Sequence, residues 1–110
     1  MIKFSPQPKN KRIVDRLAVL RVRVYAKNIC EYSGKYGDIE VHHIVSRGAG
    51  GDDVEENLIA LNYEVHNLAQ EYQIEPARLK EIAQARADKI RKMFAGYSER
   101  QLQRELRAYR

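Results

Sequence analysis

All three histidines of this chain, His42, His43 and His66, fall within residues 39–72. Imidazole takes a proton near neutral pH, with an unperturbed pKa of about 6.5, and its neutral form is a good ligand for divalent transition metals. A single histidine is most simply a half-buried, hydrogen-bonded side chain. Three of them beside Asn57 and the glycine-rich run RGAGGDD at residues 47–53 call for more. If a strand ending in His42-His43 pairs with a second strand, and a helix carrying His66 packs across the hairpin, imidazoles from strand and helix can chelate one divalent cation.

The elements needed for that arrangement are readable from pattern. Ile13, Leu17, Leu20 and Val24 recur at helical spacing and predict a helix over residues 13–27. Ser33-Gly34 and Tyr36-Gly37-Asp38 are turn signals, with Asp38 read as a turn residue. Residues 39–45 (IEVHHIV) form a strand-like run, residues 47–53 a loop without regular structure, and residues 58–61 a second short strand. Asn62 has the chemistry of an N-cap for a helix beginning near Tyr63. Pro76 opens a further helix whose apolar face is Leu79, Ile82, Ala83, Ile90, Met93 and Phe94, and Gly96 stops it. Ser98 and Gln101 have capping-box spacing and start a last helix. Strands and helices in this order give an α+β fold.

Composition narrows the function classes. The 110 residues carry a formal charge of +5 and are 44% hydrophobic, enough for one small domain with a modest core. No apolar run reaches the roughly 18 residues of a membrane span, so a membrane role is not expected and a cytoplasmic location is. One cysteine, Cys30, precludes an internal disulfide. The charge is unevenly spread: residues 1–23 hold seven basic and one acidic side chain, residues 24–75 three and ten, and residues 76–110 ten and four. Two basic flanks around an acidic centre suit a polyanion if the centre also holds a cation, although lysines and arginines also simply solvate helix faces.

Val41-His42-His43-Ile44, then Asn57-Leu58-Ile59-Ala60-Leu61, then His66, resemble the signature of the HNH nucleases, which sit on the ββα-metal (His-Me finger) fold. Thirteen residues separate His43 from Asn57 and eight separate Asn57 from His66, spacings similar to the family's. Upstream, the helix and the Ile29-Cys30-Glu31-Tyr32-Ser33-Gly34 turn look like the segment that precedes the motif in phage and prophage members. The resemblance covers about residues 5–72. It implies His42 and His66 as metal ligands, His43 as general base, and Asn57 as the residue that ties the long loop down and helps orient that base. The matching positions for a structural zinc in many members are Cys30, Ser33, Asn62 and Val65; three are not cysteine, so no structural zinc is expected. Packing of Leu17, Leu20, Val24, Ile39, Val41, Leu58, Leu61 and Val65 would take over its role.

The expected organisation is a single domain over residues 1–110, with a basic arm (1–12), a helix plus ββα-metal core (13–72) and a basic helical extension (73–110). The expected activity is divalent-metal-dependent DNA endonuclease, nicking or double-strand cutting. Mn²⁺ is favoured, with Mg²⁺, Co²⁺ or Ni²⁺ also able to serve, because two imidazole donors are softer than Mg²⁺ prefers. Arg47, Lys9, Lys11, Arg12 and Arg16 are the candidate DNA contacts. DNA is the expected partner, and the resemblance extends this to phage packaging or recombination proteins. The alternative is a catalytically weak DNA-binding or scaffold module of phage type. Glu40 reads as a third ligand or as a partner of a histidine, and Asp52 and Asp53 as a solvated loop tip or as further ligands. The seven tyrosines read as core and rim rather than as base-stacking platforms.

Overall fold

A two-stranded antiparallel sheet, β1 (Glu40–His43) and β2 (Leu58–Leu61), pairs Glu40 with Leu61 and His43 with Leu58. Among the described residues four helices surround it: α1 (Arg16–Ala26), α2 (Tyr63–Gln70), α3 (Pro76–Met93) and α4 (Glu99–Arg107). The computed structural model describes residues 11–109. The arm up to residue 10, Lys9 included, lies outside the described residues.

β2 is apolar at every position and fully buried because core lies on both of its faces. Side chains alternate along a strand. Leu58 and Ala60 accordingly enter a core with α1, Ile90, Phe94 and Leu102, whereas Ile59 and Leu61 enter a second core with Cys30, Val65, Ala69, Ile74 and Leu79. α3 is long enough to serve both, Leu79 on one side and Ile90 on the other. Among the described residues, no helix is long and apolar enough to cross a membrane.

Several expectations need correction. α1 begins at Arg16 because Asp15 caps it, its carboxylate accepting from Leu17 N at 3.0 Å. Ile13 and Val14 stay outside the helix and exposed. The buried stripe of α1 is Ala18, Val22, Val24 and Ala26; Leu17, Leu20 and Val41 are only partly buried. β1 spans four residues rather than seven, because beyond His43 the chain bonds Asn57 instead of β2: Ile44 N donates to Asn57 O at 2.9 Å and Val45 N to Asn57 Oδ1 at 2.8 Å. The intervening loop carries two 3₁₀ turns, Arg47–Ala49 and Glu55–Asn57. Met93 turns outward, 45% exposed. The caps at Asn62 and Ser98 and the proline start of α3 are where pattern put them.

Beneath the sheet lies a charged knot that sequence reasoning missed. Arg86 is buried and uses all five of its donors. It bonds both oxygens of Glu31 (2.8 Å each) and the carbonyls of Glu55, Leu58 and Ala83. Glu31 in turn accepts from Ala60 N at 2.9 Å, and buried Glu55 is held by Arg21 at 2.6 Å and Arg91 at 3.2 Å. The signal was present: Arg86 stands on the Leu79, Ala83, Ile90 stripe of α3, where a charge must find partners. Part of the basic C-terminal flank therefore neutralises the acidic centre of the same chain.

Candidate active site

β1 and α2 bring the histidines together. Glu40 and His42 are two apart on β1 and share a face. The His42 and His66 rings meet edge to face with centroids 5.0 Å apart, and His66 Nδ1 lies 2.7 Å from Glu40 Oε1. His66 reaches this position from the first turn of α2, where Asn62 Oδ1 accepts from Val65 N at 2.8 Å and Asn62 O from His66 N at 2.8 Å. Glu40 thus stands as the carboxylate partner of His66. Burial lowers the pKa of His42 to about 4, helped by the neighbouring His66 and His43. Its ring is neutral at physiological pH, the form that ligates a metal.

His43 points to a different partner. Its Nε2 lies 2.7 Å from Asp53 Oδ1, and Asp53 is only 6% exposed. The expectation of a solvated Asp52-Asp53 tip is corrected here. Residues 12–15 clasp the loop: Arg12 Nη1 donates to Asp53 at 2.8 Å, Asp15 N to Asp53 Oδ2 at 2.9 Å, Ile13 N to Asp52 Oδ1 at 2.7 Å, and Asp53 N to Ile13 O at 2.9 Å. Burial pushes the Asp53 carboxyl up, but the bonds from His43, Asp15 and Arg12 outweigh it and hold the pKa at about 2. An ionised Asp53 accepts from Nε2–H, so in the neutral ring Nδ1 is the nitrogen left to take a proton.

Asn57 fixes the other side of the loop. Buried, it accepts from Val45 N and donates from Nδ2 to Val45 O and Asp52 O, both at 3.0 Å. Gly51 makes this closure possible, because a Cβ there would stand 1.7 Å from the Val45 carbonyl oxygen.

The strand register carries no bulge at His42-His43, yet both side chains line one cleft of about 440 Å³ together with His66 and Arg47. His43 is the last residue of β1, so its side chain borders the open end of the hairpin. A second cleft, of about 610 Å³, adjoins on the α1 and α4 side and shares His43, His66 and Arg47. Arg47 is exposed between the two. Arg16 is exposed and paired with Glu99 at 3.0 Å, a surface pair of little energetic weight. Arg12 is committed to Asp53 and to the Gly51 carbonyl (3.2 Å), so its guanidinium serves the loop. Lys11 is exposed.

No group of three or more His, Cys, Asp or Glu able to hold a metal exists among the described residues. Two imidazoles whose rings already touch, one kept neutral and the other braced by Glu40, nevertheless have the donor chemistry that could hold a single divalent ion. The positions matched to a structural zinc also converge, but through hydrogen bonds: Ser33 N donates to Cys30 Sγ and Asn62 Nδ2 to Ser33 Oγ, both at 3.4 Å.

Residues 28–69 match the family described as HNH endonuclease. No curated protein matches the chain. The matched segment contains both strands, the loop and almost all of α2, and with them all three histidines and Asn57.

Proposed function

We propose that this HNH domain is a divalent-metal-dependent DNA endonuclease in which His43 is the general base and His42 and His66 hold one metal ion. The observation that carries this reading is the pairing of His43 with buried, ionised Asp53 beside the His42–His66 ring contact in one cleft. Phosphodiester hydrolysis needs a water relieved of its proton and charge compensation at the phosphate. Nδ1 of His43 takes the proton from that water, and Asp53 stabilises the imidazolium that forms. Asn57 holds the loop that carries Asp53, and so holds the base in register. A divalent ion held by His42 and His66 would supply Lewis acidity to the phosphate. Arg47, exposed at the mouth of the cleft, contacts the DNA backbone, with Lys9, Lys11 and Arg16 adding sequence-independent attraction.

Two imidazole donors favour Mn²⁺, Co²⁺ or Ni²⁺ over Mg²⁺. The test is conversion of supercoiled plasmid to relaxed or linear product with each of these metals. Conversion is expected to be fastest with Mn²⁺ and clearly slower with equimolar Mg²⁺. DNA retention without conversion by any metal would overturn the nuclease reading in favour of a binding module.

A further inference from the structure

One residue of the catalytic cleft has no explanation in the fold. Tyr72 closes the turn after α2 with φ +58°, a left-handed conformation that glycine or asparagine enters readily and a bulky side chain does not. The turn is made by backbone alone: Tyr72 N donates to Ala69 O at 3.1 Å and Gln73 N to Leu68 O at 2.9 Å. The ring takes no part, and at 77% exposure it gains little from burial. Tyr36 and Tyr63 are almost as exposed, at 75% and 74%, but neither borders the cleft of the histidines. Tyr72 does, beside Gln70 and the apolar wall of Ala69, Pro76 and Leu79. The cleft has room for more than a phosphate, and its α2–α3 end offers a flat aromatic, an apolar wall and an amide that both donates and accepts.

We infer that Tyr72 is a positioning residue, a stacking platform for one unpaired nucleobase adjacent to the scissile phosphate, with Gln70 at the base edge. This rests on the nuclease reading and narrows its substrate class. A base inside a duplex has both faces covered by its neighbours, so the favoured substrate is single-stranded or locally opened DNA on the α2–α3 side of the cut.

The test uses single-stranded oligonucleotides in which one abasic site is moved a nucleotide at a time across the cleaved bond, with Mn²⁺ present. Parent, Tyr72→Asn and Tyr72→Phe are compared; asparagine suits the left-handed turn, so the fold is kept, and a thermal melt checks this. In the parent, one abasic position should raise KM by about 5- to 150-fold, the scale of base–aromatic stacking, with kcat little changed. Tyr72→Asn should show that loss with every substrate and no further loss at the special position, and Tyr72→Phe should behave as the parent. Identical abasic profiles for parent and Tyr72→Asn, or parent cleavage of paired duplex as efficient as of single strands with Tyr72→Asn equal on both, would overturn the inference. Anisotropy titrations of the same oligonucleotides with His43→Ala read stacking without cleavage. Failure of the nuclease reading is thereby separated from failure of the platform.

Discussion

Asp53 and Glu55 are two residues apart, both buried and both held by arginine, yet they belong to regions with opposite uses of charge. Around Glu55 the contacts close on themselves: Arg21, Arg91 and, through its backbone carbonyl, Arg86 tie α1 and α3 to the sheet. Around Asp53 the contacts end on His43, whose ring lies at the edge of a cleft. Glu55 is anchored from elements that pack the core, whereas Asp53 is anchored by the short segment 12–15 that precedes α1. A buried carboxylate satisfied entirely by fixed donors contributes to architecture; one that shares its oxygens with an imidazole also sets which nitrogen of that imidazole is basic.

The largest effect separating the two regions is expected at His43. His43→Ala should slow DNA cleavage by roughly 10²–10⁴-fold, the usual contribution of a general base, while lowering the melting temperature much less than Arg86→Leu does, because Arg12 and Asp15 N still hold Asp53. Single-turnover rates with Mn²⁺ measure the first and thermal unfolding the second. Arg86→Leu should do the reverse. It strands Glu31 without its partner, a loss of about 3–5 kcal/mol in urea unfolding, and leaves the cleavage rate per folded molecule unchanged. A catalytic defect in folded Arg86→Leu would merge the two regions into one.

Asp53→Asn sharpens the boundary. It keeps the shape of the loop but removes the charge that fixes the ring of His43, and a slowing of about 10–100-fold is expected, the scale for partners that orient a functional imidazole. Metal affinity should be unchanged, since Asp53 bonds His43, Arg12 and Asp15 rather than His42 or His66. The smallest effect concerns acid. The Asp53 carboxyl is held at about 2, below its ordinary 3.8, by bonds that outweigh its burial. A lowered carboxyl adds stability that is complete above the unfolded value and is lost as pH falls through the folded one. Urea midpoints of the parent should therefore drop between about pH 4 and pH 2, and those of Asp53→Asn should drop less over the same window.

How much of this was legible depends on how local the determinants are. The order of the elements, the caps at Asn62 and Ser98, and the grouping of His42, His43, Asn57 and His66 follow from pattern and short spacing, and the structure assembles them on one hairpin and one helix. The Asp53–His43 contact was not legible. It depends on Arg12 and Asp15, about forty positions away, folding over a glycine-rich loop whose composition by itself reads as solvated. The start of α1 was misplaced for the same reason: Ile13 fits the helical spacing, but its backbone is engaged by residues 52–53 and Asp15 caps the helix after it. Arg86 is legible in principle, because a charged residue on an apolar stripe requires a buried partner, here Glu31.

Whether His42 and His66 hold the metal while His43 acts as base is decided by electron spin-echo spectroscopy of the Mn²⁺-loaded protein. Nitrogen couplings from two imidazoles are expected, preserved in His43→Ala and reduced to one in His66→Ala. Absence of any nitrogen coupling in the parent, or its loss in His43→Ala with retention in His66→Ala, would contradict it.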